Sequence, residues 1–153
     1  MDKALAILPL VLGLGVGAAT PMNKEWYATL QKPPWNPPSW VFGPVWTILY
    51  LLMGFAARRI ALQGGYLSLP MLLFSVQLAL NLAWSPVFFG SKDPNKALTI
   101  LWVLVGTVVA TVVAFWKIDT VAGVMLLPYL AWLLVALSLN RWIVKKNNYS
   151  VAF

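Results

Sequence analysis

Trp26, Tyr27, Trp46, Tyr50, Asn81, Trp84 and Trp132 are the residues of this sequence best equipped for chemistry, and what they offer is aromatic faces and neutral amides. The chain holds nine tryptophans but no histidine and no cysteine. That removes Ser-His triads, thiol nucleophiles, disulfides, zinc sites and the usual axial ligands of haem iron. No metal site is expected. The four acids, Asp2, Glu25, Asp93 and Asp119, fall outside or at the ends of the apolar runs, as the cost of an ionised carboxylate in hydrocarbon requires. No buried acid pair is therefore on offer, and a dedicated acid-base enzyme is not expected. Stacking and neutral hydrogen bonding survive, because neither needs a proton donor or acceptor of tuned pKa.

The spacing of the aromatics is informative. Trp46 with Tyr50, and Trp132 with Ala136, stand four residues apart, which aligns each pair along one helix face. On a wheel at about 100° per residue, Gln77, Asn81, Trp84 and Phe88 share one side of the third apolar run, opposite Ser75, Ala79 and Ala83. Intramembrane Gln and Asn turn toward protein, where they either bond helices together or line a pocket. Tyr129, Trp132, Ala136 and Asn140 form a comparable stripe further on, with Pro128 expected to kink that helix. Trp102, Trp116, Trp142 and Trp40 sit where headgroup-level anchors belong. A helix bundle would thus enclose an apolar pocket lined by Trp46, Tyr50, Asn81, Trp84 and Trp132, a shape for a flat apolar guest such as a tetrapyrrole or a sterol.

The elements that position these residues are membrane spans. Hydrophobic residues make up 61% of the chain and charged residues 10%, too apolar for a water-facing surface. Runs long enough to cross about 30 Å of hydrocarbon, about 20 residues each, occur at 4–22, 40–62, 67–90, 95–116 and 120–144. The expected fold is a single all-α domain, an integral membrane bundle of five transmembrane helices. The first run also has the layout of a secretory leader, with Lys3 ahead of an apolar stretch and small residues behind it. Gly13 and Gly17, spaced for close helix packing, and Pro21 as a terminator favour a retained helix. Loop 23–39 carries four prolines, which are expected to prevent helix and leave an ordered, extended cover bearing Trp26 and Tyr27.

The net charge of +7 is spread along the chain, which argues for helix-end anchoring among anionic headgroups and against nucleic acid. Lys24, Lys32, Lys92, Lys96, Arg141, Lys145 and Lys146 fall on one side of five spans, and Lys3, Arg58, Arg59 and Lys117 on the other. The positive-inside rule places the Pro/Trp-rich loop and the C-terminus in the cytoplasm. The stripe Ser75, Ala79 and Ala83 allows close helix approach and is the expected face of a homodimer. Gly106, Ala110 and Ala114 repeat the pattern in the next run and read as packing.

Three segments, WYATLQKPPWNPPSWVFGPVW, QLALNLAWSPVFFG and LPYLAWLLVALSLN, resemble in order and spacing the signature segments of the translocator protein (tryptophan-rich sensory protein) family. The resemblance covers almost the whole chain. It implies a five-helix membrane bundle, frequently dimeric, in a bacterial or mitochondrial outer membrane. It also implies binding of protoporphyrin IX, haem-related tetrapyrroles, in some members cholesterol, and benzodiazepine-type ligands. Family members have been viewed as tetrapyrrole or sterol transporters, as stress-linked sensors, and as catalysts of light- and oxygen-dependent porphyrin breakdown. Carried over, the ligand site is Trp26, Tyr27, Pro37, Trp46, Tyr50, Asn81, Trp84, Trp132 and Ala136, with Trp26 and Trp132 as the residues of porphyrin degradation. One departure bears on sterols. Cholesterol-binding members carry a tyrosine after the fifth-helix Asn, whereas this chain reads Asn140, Arg141, Trp142, Ile143, Val144, Lys145. The expectation is therefore a membrane receptor for tetrapyrroles, before an enzyme that degrades them or a lipid translocator or scaffold.

Overall fold

The computed structural model describes residues 2–20 and 24–147, and all regular structure among them is helical. The elements are α1 (Asp2–Ala19), α2 (Lys24–Thr29), α3 (Ser39–Gly64), α4 (Leu69–Ser85), α5 (Pro94–Ile118), α6 (Thr120–Met125) and α7 (Leu127–Lys146). A single π turn, Pro86–Gly90, extends α4. Helix starts follow local chemistry. The Ser68 hydroxyl accepts from the Met71 N–H at the head of α4, and Asp93 accepts from the Lys96 N–H at the head of α5. In both, a proline occupies the first turn, where its missing N–H costs nothing.

Four segments are long and apolar enough to cross a membrane: Trp40–Gly64, Leu69–Gly90, Pro94–Ile118 and Thr120–Lys146. The expected first span is a shorter apolar helix, α1, which at 18 residues reaches about 27 Å. The bundle is thus four spans plus this helix. Pro21 and the end of the first run at Met22 lie outside the described residues.

Two local expectations are corrected. The run 120–144 is two helices, and the break falls at Leu126 (φ −87°, ψ −11°), ahead of Pro128. A proline inside a helix clashes with the carbonyl four residues back. Ending α6 at Met125 and starting α7 at Leu127 moves Pro128 into a first turn and avoids that clash. The cover loop is not wholly extended either. Residues 24–29 form α2, because the prolines begin only at Pro33 and constrain nothing before Lys32.

Helix packing divides the bundle into two unlike halves. α1 lies along α3, where Gly54 admits the Ala6 carbonyl oxygen into the space a Cβ would fill. In the half that holds the C-terminal part of α3, Met53, Ala56, Ala57 and Ile60 pack against α5 and α6. Phe74 of α4 stacks on Phe115 of α5 at 5.9 Å, filling the middle of that half. Without a hydrophobic drive in lipid, such contacts hold the helices by dispersion and hydrogen bonding. An ion pair closes this end. Arg59 Nε donates to Asp119 Oδ2 at 2.8 Å, and Gln63 Nε2 donates to the same oxygen at 2.5 Å. Asp119 Oδ1 caps α6 by accepting from the Val121 and Ala122 N–H groups at 2.9 and 3.3 Å. The Arg59 guanidinium, with the Gln63 and Ala122 bonds adding to it, outweighs burial and lowers the Asp119 carboxyl to about 2. Outward-facing residues such as Ile48, Phe55, Leu72, Val76, Val113 and Leu134 are exposed, as a lipid-facing surface demands.

Candidate functional site

The other half of the bundle is hollow. A cavity of about 390 Å³ lies among the C-terminal half of α1, the N-terminal half of α3, the end of α4 with its π turn, and α7, roofed by Tyr27 and Pro37. Its volume is in the range of small-molecule sites. Among the described residues, no Asp, Glu, Lys or Arg lines it. Of the residues anticipated for a ligand site, Tyr27, Pro37, Trp46, Tyr50, Asn81, Trp84, Trp132 and Ala136 all border this one space. Trp26 does not. Its ring lies edge-on to Phe88 at 5.6 Å, behind the cavity wall.

The polar pole of the cavity is Asn81, which is held by a directional chain across three helices. The Tyr50 hydroxyl donates to Asn81 Oδ1 at 2.8 Å, and Asn81 Nδ2 donates to the Tyr129 hydroxyl at 2.9 Å. Tyr129 in turn donates to Gln77 Oε1 at 2.8 Å, and Gln77 Nε2 meets the Met53 sulfur at 3.9 Å. Gln77 and Tyr129 are each 1% exposed, so both were committed to this chain when the helices packed. An amide has two N–H groups and two lone pairs on its oxygen, so Asn81 keeps one of each for a guest. The third-run face read from periodicity thus serves as both helix glue and pocket wall.

Aromatic rings form the sides. Trp84 Nε1 donates to Asn140 Oδ1 at 3.0 Å, and Asn140 Nδ2 donates to the Pro94 carbonyl at 3.0 Å, which locks the indole plane. Phe88 stacks on Trp84 at 4.9 Å and Phe89 meets it edge-on at 5.9 Å. Trp46 leans on Tyr50 at 5.4 Å, and Trp132 closes the seam between α7 and α3 by an edge contact with Phe42 at 5.8 Å. Gly13 of α1 is required here, because a Cβ would strike the Tyr50 ring.

Phe42, Phe89 and Asn140 line the cavity without having been singled out as site residues. Asn140 already stood on the Trp132 stripe, and Phe88 on the Asn81 face. Phe89 carried no signal, since only the π turn, closed by the Ser91 N–H to Pro86 carbonyl bond at 2.9 Å, brings two consecutive phenylalanines to one wall. Ser75 and Ala79 are exposed and Ala83 half-buried, so that stripe faces away from the cavity.

The roof is a separate piece of chemistry. Leu30 is buried with Phe88, Ala97 and Ile143. Lys32 Nζ donates to the Tyr27 and Leu30 carbonyls at 2.8 and 3.1 Å and lies 4.5 Å from the Tyr27 ring centre. Burial raises the Tyr27 hydroxyl, and its hydrogen bond with the Asn36 side chain draws it part of the way back. The roof therefore presents a neutral ring to the cavity and keeps its cation outside. Among the described residues no group of three or more His, Cys, Asp or Glu stands close enough to share a metal ion.

Residues 5–145 match the model of the TspO/MBR family. The chain is 49% identical to a tryptophan-rich sensory protein of Cereibacter sphaeroides, over 96% of this chain and 94% of that one. It is 40% identical to the tryptophan-rich protein TspO of Chlorobaculum tepidum, over 96% and 99% of the two chains. It is 42% identical to the translocator protein of Homo sapiens, over 81% of this chain and 76% of the human one.

Proposed function

We propose, from the premise that this chain belongs to the TspO/MBR family, that it is an integral membrane receptor whose cavity takes a tetrapyrrole such as protoporphyrin IX. The observation that carries this reading is the cavity itself, walled by Trp46, Trp84, Trp132 and Phe88 with the neutral amide of Asn81 at its polar pole. Indole faces stack on a flat conjugated ring, and a mostly apolar wall costs little to desolvate when the ring enters. A sensing or carrier role needs no more than this, and the names of two relatives, sensory protein and translocator protein, point the same way.

A second reading is kept because tryptophans surround the space where a pigment would sit. Light absorbed by a bound porphyrin would generate reactive oxygen beside Trp132, and oxidative porphyrin breakdown requires no acid or base from the protein. Titration of purified protein with protoporphyrin IX, first in the dark and then under illumination, separates the two. Saturable tryptophan quenching without loss of the porphyrin band supports a receptor. Loss beyond a protein-free control supports an enzyme. Absence of saturable quenching refutes both.

Two further features complete the proposal. The roof end, which carries Lys32, Lys92, Lys96, Arg141, Lys145 and Lys146, faces the cytoplasm by the positive-inside rule. The exposed small surface of Ser75 and Ala79 pairs with the same surface of a second copy in the bilayer. Ala79→Leu should abolish crosslinking of that pair, and an undisturbed dimer would refute the face.

A further inference from the structure

Among the described residues, one side chain outside the roof hydrogen-bonds to it. Asn147, immediately past the end of α7, pairs with the backbone of Gln31 in both directions: Gln31 N–H donates to Asn147 Oδ1 at 2.9 Å and Asn147 Nδ2 donates to the Gln31 carbonyl at 3.1 Å. The side-chain amide thus acts as a strand would, satisfying both polar groups of a roof residue that has no helical partner. Asn147 is itself fixed. Its backbone N–H and its Nδ2 both donate to the Ile143 carbonyl, at 3.0 and 2.9 Å. Ile143 lines the cavity, and Leu30, next to Gln31, is buried against it. The other hydrogen bonds made by residues 26–36 among the described residues stay within the roof or belong to Asn147.

We propose that Asn147 is the latch of the roof, a positioning residue that sets how often the cavity opens to a guest. The proposal rests on the reading of the cavity as a ligand site. Both bonds are exposed, so water competes for them and the latch is weak enough to release on its own. The Leu30 plug and the Trp26 and Tyr27 contacts on Phe88 supply most of the closing energy, and the amide pair supplies the register. A latch made in the free and occupied protein alike alters entry and exit together and leaves the binding equilibrium where it was.

Asn147→Ala tests this, because it deletes the pair and leaves the helical bond from residue 147 to Ile143 intact. Lys145→Ala, on the exposed end of the same helix, is the control. Hydrogen exchange of the Gln31 amide in the ligand-free protein should accelerate about tenfold in Asn147→Ala, with the amides of Val108 and Phe115 unchanged. Stopped-flow mixing with protoporphyrin IX should show association and dissociation rates rising by a similar factor, at an unchanged Kd, and neither changing in Lys145→Ala. Unaltered Gln31 exchange overturns the latch. Faster exchange with unaltered porphyrin rates overturns its role as a gate. Wild-type protein that binds no porphyrin overturns the tetrapyrrole reading instead, and Gln31 exchange then decides the latch alone.

Discussion

Tyr50 on α3 and Asn81 on α4 share a 2.8 Å hydrogen bond that makes the polar pole of the cavity part of the fold. Asn81 is committed again through Tyr129 on α7, so a group that faces a guest also joins three helices. Replacing it by alanine would leave the Tyr50 and Tyr129 hydroxyls short of partners in a low-dielectric interior. Asn81→Ala should cost about 1–3 kcal/mol of stability and also weaken porphyrin binding. Thermal unfolding in detergent alongside titration reads both, and a variant impaired in neither would mean that the chain is decorative.

Gly13 and Tyr50 give a way to separate the site from the fold. The atoms nearest a methyl group on Gly13 all belong to the Tyr50 ring, so Gly13→Ala should push the phenol away from Asn81. Porphyrin affinity is expected to fall several-fold while the unfolding midpoint moves by only a few degrees. The contrast is Gly54→Ala, where the obstacle is the Ala6 backbone and about 1–3 kcal/mol of stability should go.

Four of the five expected spans were legible in the sequence, because hydrocarbon thickness imposes a minimum apolar length that composition cannot hide, and the first run gave a shorter apolar helix. Asn81, Trp84 and Trp132 were legible for a related reason, since polar or aromatic groups on one face of a lipid-embedded helix turn inward. Pro128 shows where this stops. A proline announces a break within a turn or so of itself, but whether the helix ends before it or bends at it depends on how neighbouring helices accept the two halves. The π turn after Ser85 is harder still, because Ser85 and Pro86 read equally well as a kink, and Phe89 reaches the cavity only through the added residue. Asn147 was silent: pairing with Gln31 spans 116 positions of chain and follows no period.

The Arg59–Asp119 pair sets an acid limit on stability. With the folded carboxyl near 2 and the unfolded value near 4, stability from this pair is fully present above about pH 4. It is lost as the pH falls from there through about 2. Asp119→Asn should lower the unfolding midpoint at pH 7 and flatten its fall between about pH 4 and pH 2. A variant whose profile parallels the wild type would show that other groups govern acid unfolding.

Trp26 and Trp132 stand in different relations to the cavity, although the family resemblance assigns them one role. Trp132 borders the space, and Trp26 reaches it only through Phe88. If illuminated protein degrades porphyrin, Trp132→Phe should abolish product formation with binding retained, and Trp26→Phe should slow it only by loosening the roof. Product analysis with matched Kd values distinguishes the cases; equal loss in both variants would give Trp26 a direct part that its position does not explain.

The central claim is that the space beside Ala136 is where a flat ligand lies. Ala136 lines the cavity, is half-buried and makes no hydrogen bond beyond its helix, so Ala136→Phe fills the space without disturbing Asn81 or the latch. Protoporphyrin IX titration of wild type and Ala136→Phe, followed by tryptophan quenching in the dark, is the most direct test. The prediction is saturable quenching in the wild type and at least a tenfold loss of affinity in a variant that remains folded. Equal affinity in the two proteins would place the ligand elsewhere and contradict the account.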